Sequence, residues 1–158
     1  MIVFSNTTPL ISLASIEALH LLPALFQRVH IAASVAAECR MGGPIALPDM
    51  SALQWLEIVP SLQPTGMPSA LWELDAGERD TLELACAKKA DLVIIDEKLG
   101  RNHAEFLGLK ITGTLGILLK AKQGGLIQSF TTAAQSMRAQ GIYYSPALVT
   151  RLAASIGE

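Results

Sequence analysis

Cysteine is scarce in this chain. Cys39 and Cys86 are the only two in 158 residues, and with no Cys-x-x-Cys pair or Cys/His cluster beside them neither a disulfide scaffold nor a zinc site is signalled. Both read as ordinary buried thiols. Charge is thin as well: 16% of residues carry one, the net charge is −2 and the pI is near 5.9, so no global field draws the chain to nucleic acid. Binding of that kind has to rest on a local basic patch or on metal ions. Long apolar runs are missing, since the uncharged stretches 58–72 and 123–137 are broken by proline, glycine or polar residues, and no segment reads as transmembrane. The N-terminus has no basic segment and places Asn6-Thr7-Thr8-Pro9 where a signal peptide is apolar, so a cytoplasmic location is expected. Neither a GxGxxG nor a P-loop occurs, which argues against a nucleotide-cofactor enzyme. The three histidines, His20, His30 and His103, are scattered with no serine or cysteine nucleophile motif nearby, and structural or surface roles suit them better than catalysis. There is no internal repeat and no low-complexity tract.

What the chain has is apolar substance. Hydrophobic residues make up 51% of it, enough for one domain spanning 1–158 with a sizeable core. Short apolar runs at 1–4, 29–31, 92–95 and 109–111 predict strands. Helical patterns lie between and after them: 10–26 in two pieces punctuated by Ser15 and Pro23, 34–41 with Ser34 as N-cap, 75–89, 97–107, 115–122, 129–140 and 145–156. The Pro-, Gly- and Ser-rich stretch 44–70 reads as a variable surface insertion holding at most a short strand or helix around 55–59. Trp55 and Trp72 stand at its edges in packing or interface roles. Strands alternating with helices predict an α/β fold whose parallel sheet is covered on both faces.

Four side chains stand out within that pattern. Asp96 follows the β-branched run 92–95, at the carboxyl end of a central strand, where open α/β sheets bind ligands. Its plainer reading is an N-cap for the helix that starts near Glu97. Glu78 sits three residues after Asp75, the spacing of a capping box, yet it also continues an apolar stripe with Leu82, Ala85 and Cys86, where an acid is unfavourable unless paired or bound to a cation. Glu38 shares a helix side with Val35, and Asn6 follows the first strand. On a parallel sheet Asn6 and Asp96 share one rim. Should the two glutamates reach it, three carboxylates and a carboxamide repel or raise one another's pKa unless a hard cation lies among them, and Mg²⁺ or Mn²⁺ suits all-oxygen ligands. Lys88, Lys89, Lys98, Arg101 and His103 flank this region and read either as phosphate contacts or as a solvated face.

The chain resembles the PIN-domain ribonucleases, and within them the VapC-like toxin group. The resemblance rests on Ile2-Val3-Phe4-Ser5-Asn6-Thr7-Thr8-Pro9-Leu10-Ile11, on Leu74-Asp75-Ala76-Gly77-Glu78, on Asp91-Leu92-Val93-Ile94-Ile95-Asp96-Glu97 and on Leu109-Lys110-Ile111-Thr112-Gly113-Thr114-Leu115-Gly116, and their order spans nearly the whole chain. It implies a PIN-like three-layer α/β/α fold with a central, mostly parallel sheet of four to five short strands. It further implies an acidic quartet holding Mg²⁺ or Mn²⁺, here Asn6, Glu38, Glu78 and Asp96 with Glu97 as accessory. Thr7 or Thr8 would support the first ligand, with Thr112 or Thr114 on the rim. Such a site hydrolyses RNA phosphodiesters through a metal-bound water. A cognate antitoxin and a homodimer are implied partners. The family usually carries aspartate where this chain has Asn6, a neutral ligand that cannot act as a base. Weaker metal binding is expected, and the contrasting reading is a PIN-like RNA-binding or protein-interaction module that has lost activity. A third reading, a small-ligand domain using the strand rim, predicts a deep pocket without clustered acids.

Overall fold

Short runs of β-branched and aromatic residues set the frame. The structure, a computed structural model, describes residues 1–62, 71 and 73–158. Five strands, β1 (Val3–Ser5), β2 (Val29–Ala32), β3 (Leu56–Val59), β4 (Leu92–Ile94) and β5 (Ile111–Thr112), pair in parallel in the order β3-β2-β1-β4-β5. Central parallel strands are covered on both faces, and Val3, Phe4, Val29, Ile31, Val93 and Ile94 are all fully buried. The α/β architecture with helices flanking a parallel sheet is therefore as the alternation of the sequence predicts.

Among the described residues eight α-helices connect and cover these strands: α1 (Thr7–Ala14), α2 (Leu21–Phe26), α3 (Ala33–Arg40), α4 (Ala76–Ala87), α5 (Lys98–Phe106), α6 (Thr114–Gln123), α7 (Phe130–Ala139) and α8 (Pro146–Ser155). Among the described residues no helix is long and apolar enough to cross a membrane. The strand order reverses at one place. From β1 the chain moves outward to β2 and β3, then returns to β4 on the other side of β1. Such a switch point opens a crevice beyond the carboxyl ends of the two strands. Ser5 pairs with Ile94 there, and the backbone N–H of Asn6 donates to the Ile94 carbonyl at 3.0 Å. Asn6 and Asp96 thus leave the sheet side by side.

Several local expectations fail for identifiable reasons. Pro23 does not break α2, because it lies in the first turn, where a helix needs no N–H. The interruption falls at the other expected point, Ser15, which is the C-cap of α1, and Glu17 just beyond it takes a left-handed φ of 55°. Ser34 is not an N-cap: Ala32 holds that position without a side-chain bond, and Ser34 Oγ is buried without a partner. In the described part of the stretch 44–70 the short strand or helix expected around 55–59 is the strand β3. Ahead of it a 3₁₀ turn (Met50–Ala52) is capped by Asp49, and β3 pairs with all four residues of β2. Trp55 packs half-buried against the core, whereas Trp72 and residues 63–70 lie outside the described residues. Cys39 is buried as expected, but Cys86 is exposed, since α4 turns that side outward.

Candidate active site

Asn6 is the N-cap residue of α1, with extended φ and ψ of −80° and 175°, yet its side chain makes no capping bond. Only 3% of the residue is exposed, and Oδ1 is buried without a hydrogen-bond partner. A buried carbonyl oxygen left bare is unfavourable by about 1–3 kcal/mol, so this atom marks a place where a donor or a cation is wanted. The neighbouring hydroxyls are committed elsewhere. Thr7 donates to Glu38 Oε2 at 2.5 Å, and Thr8 to Glu97 Oε1 at 3.4 Å. Both threonines therefore tie α1 to carboxylates of the predicted set.

Glu38 arrives from the half-buried side of α3 and meets the first turn of α4. There Gly77 makes room: a Cβ at this position would collide with Glu38 Oε1. Next to it, Glu78 closes the capping box the spacing predicts. Its N–H donates to Asp75 Oδ1 at 2.8 Å, and its Oε2 accepts from the Asp75 N–H at 3.3 Å. Glu78 is 7% exposed. Burial pushes its pKa up, the Asp75 carboxylate adds to this, and the charges of Glu97 and Glu38 push in the same direction, against the Asp75 N–H. The structural and the functional readings of Glu78 are thus compatible: it caps α4 and stands in the field of three other acids. Gly100 of α5 makes room for Ile95, whose Cδ1 a Cβ there would meet at 2.5 Å, and Glu78 Oε1 lies at ordinary contact distance, 3.6 Å, from the same position.

Asp96 is placed differently. The helix that starts after it, α5, has Glu97 as its N-cap, so the expected local cap is not formed. Instead Asp96 caps α6 from eighteen residues away, accepting the Thr114 N–H at Oδ1 (2.8 Å) and the Thr114 hydroxyl at Oδ2 (2.7 Å). The N-cap residue of α6 is Gly113, which has no side chain to do this. The Tyr144 hydroxyl, from the α7–α8 connection, lies 3.0 Å from Asp96 Oδ2 and 3.1 Å from Ser12 Oγ. One phenol proton serves one acceptor. Burial, and then the Asp96 charge, push the Tyr144 pKa up to about 12, so the phenol stays protonated and donates. Sequence reading missed Ser12 and Tyr144, and no local signal could reveal a contact spanning 132 residues.

The basic candidates divide. Arg101 gives an N–H to the Ile95 carbonyl at 3.2 Å, close to Asp96. His103 is occupied by Glu73 at 2.8 Å, which removes it from the phosphate contacts. Lys88, Lys89 and Lys98 are exposed.

The structure thus sets Glu38 and Glu97 close enough for their charges to act on Glu78 at the N-terminus of α4, with Glu38 bonded to Thr7, the residue after Asn6, and sets Asp96 on the rim but turned toward α6. Among the described residues no three His, Cys, Asp or Glu side chains form a group that could hold a metal ion as they stand. The donors nonetheless suit a hard divalent ion, being all oxygen and including the bare Oδ1 of Asn6. No curated protein and no solved structure matches the chain. The family model DUF3368, a PIN domain, matches residues 2–158. PIN domains are generally nucleases and typically use divalent metal ions. With the model matching nearly the full length of the chain, and with the switch point of a parallel sheet on the same residues, the chain belongs to the PIN-domain family.

Proposed function

We propose that this single PIN-like domain is a metal-dependent endoribonuclease that hydrolyses RNA phosphodiesters. The observation that carries the reading is the bare, buried Oδ1 of Asn6 at the switch point, on the same rim as Glu78, whose pKa is pushed up first by burial and then by the charges of Asp75, Glu97 and Glu38. Asn6, Glu38, Glu78 and Asp96 would hold Mg²⁺ or Mn²⁺, with Glu97 as accessory. Bound there, the ion supplies an activated water and neutralises charge building on the phosphate. The chain's own residues do the rest. Thr7 and Thr114 fix the carboxylates of Glu38 and Asp96 by hydrogen bonds. Tyr144 holds the outer side of Asp96 and keeps its proton at neutral pH. Asn6 brings no charge, so the deprotonating work falls to the glutamates. The resemblance to the VapC-like group further supports a toxin of a type II toxin–antitoxin pair, with a cognate antitoxin, a homodimeric state and a cytoplasmic site of action.

A second reading, a weakened PIN-like RNA-binding or protein-interaction module, is favoured by the absence of a ready three-acid group among the described residues and by Asn6 itself. Cleavage of a mixed structured RNA with Mn²⁺, with EDTA and by Asp96→Asn decides between them. Cleavage that disappears in both controls establishes the nuclease. Its absence from the wild type, with appearance in Asn6→Asp, gives the second reading.

A further inference from the structure

Asp96 faces two environments. On one side is the acidic rim; on the other is a cavity of about 470 Å³ bounded by β5, α6 and α8. Its walls are aliphatic, with Leu115, Leu119, Leu148 and Leu152 among them, and its polar groups are few: Asp96, Arg101, Thr112 and the Tyr144 ring with its hydroxyl. That volume is far more than one anion or water needs and lies within the range of small-ligand sites, which pair apolar walls with a few fixed polar groups.

Arg101 is the informative member. A guanidinium presents five N–H donors, and the described residues show one of them used, on the Ile95 carbonyl at 3.2 Å. No carboxylate stands within ion-pair distance of it among the described residues, although Asp96 is close. Gly113 explains how both fit. A Cβ there would come within 2.7 Å of Asp96 Oδ1 and 2.9 Å of Arg101 Nη1, so a side chain at this position would close the gap between acid and base. A half-buried arginine with spare donors, in a site lined mostly by leucines with Asp96 as its one acid, matches a planar or tetrahedral oxyanion carried on an apolar body.

We propose that this cavity is the subsite for the nucleotide adjacent to the cleaved phosphodiester, its base lying between the leucines of α6 and α8 and its phosphate on Arg101. The proposal rests on the nuclease reading above and gives it a substrate contact outside the carboxylate set. The base lies flat on aliphatic surface with no side-chain amide in the cavity to read its edge, so recognition here is by shape and stacking and tolerates more than one base.

The test is a titration of the full chain in EDTA with the four ribonucleoside 5′-monophosphates, followed by the backbone amide resonances of Gly113 and Gly116. At least one nucleotide is expected to shift both in a saturable way, with inorganic phosphate binding about tenfold more weakly or worse. Arg101→Gln should weaken the nucleotide by about fivefold or more, with Arg101→Lys in between. Leu119→Trp, which fills the cavity, should abolish binding while the chain still melts cooperatively. The proposal is overturned if none of the four nucleotides moves these amides, if inorganic phosphate binds equally well, or if Arg101→Gln binds like wild type. No metal and no scissile bond are present, so a negative titration leaves the nuclease reading standing. A chain that binds nucleotide yet cuts no RNA fails that reading alone.

Discussion

Thr114 binds Asp96 twice, its N–H at Oδ1 and its hydroxyl at Oδ2, at 2.8 and 2.7 Å. Thr114 is fully buried, so the carboxylate and the start of α6 stabilise each other away from water. Replacing Thr114 by valine keeps the shape and the N–H but leaves Asp96 one donor short. Stability should fall by about 1–3 kcal/mol in metal-free denaturation. Thr114→Ser, which restores the hydroxyl, should recover most of it. A loss in Thr114→Ser with none in Thr114→Val would mean that the methyl group's packing, and not the hydrogen bond, is what matters.

Far from the rim, the Glu158 carboxylate closes the start of α7. It accepts from the N–H groups of Phe130 and Thr131 at 2.7 and 3.0 Å and from the Ser129 hydroxyl at 2.8 Å. These backbone bonds hold its pKa down at about 2, against an ordinary value of 4.5. A carboxyl whose folded pKa is depressed contributes stability above its unfolded pKa and loses it as pH falls toward the folded one. Glu158→Gln should therefore lower Tm at pH 6, and the gap to wild type should close between pH 4.5 and about 2. A gap constant across that window would show that the charge is not involved.

How far the sequence reaches is visible at individual residues. Asp75 and Glu78 form the capping box because N-cap and N3 are neighbours in sequence, and the bonds are local. The β-branched run ahead of Asp96 specifies a buried strand without help from elsewhere. Reading fails where the partner is distant. Asp96 is a cap, but of α6 and not of the adjacent α5, because the chain passes through β5 and returns. Around 55–59 the sequence leaves strand or helix open, and the pairing with β2 is what makes it the strand β3. Glu38 has no local signal at all. Its place beside α4 depends on the missing Cβ of Gly77, and Gly77 is unremarkable until the two helices are packed.

Asn6 is where charge was withheld. Its Oδ1 is buried and bare, and on the same rim Glu78, itself buried, already stands in the field of Glu97 and Glu38. Asn6→Asp adds a further buried negative charge, so without metal the variant should be less stable than wild type by about 1–3 kcal/mol. A divalent ion bound to the folded state alone reverses this through mass action. Mn²⁺ should then raise the Tm of Asn6→Asp more than that of wild type. Equal rises in the two proteins would place the ion away from residue 6.

Gly77 offers the sharpest separation of stability from function. It lies in the first turn of α4, where alanine improves helix propensity by up to about 1 kcal/mol. The added Cβ, however, collides with the Glu38 carboxylate, which Thr7 holds at 2.5 Å from the other side. Glu38 has to swing away, giving up that bond, so the gain and the loss are of similar size and metal-free stability should change by less than about 1 kcal/mol. Metal binding should suffer far more, because the displaced group is a proposed ligand: the Mn²⁺-induced rise in Tm should shrink or vanish. Pairing Gly77→Ala with Glu38→Ala isolates the collision. In that background the alanine should stabilise the metal-free protein, since nothing remains for its Cβ to meet. If Gly77→Ala destabilises equally with and without the Glu38 side chain, the glycine serves the helix packing and not the carboxylate.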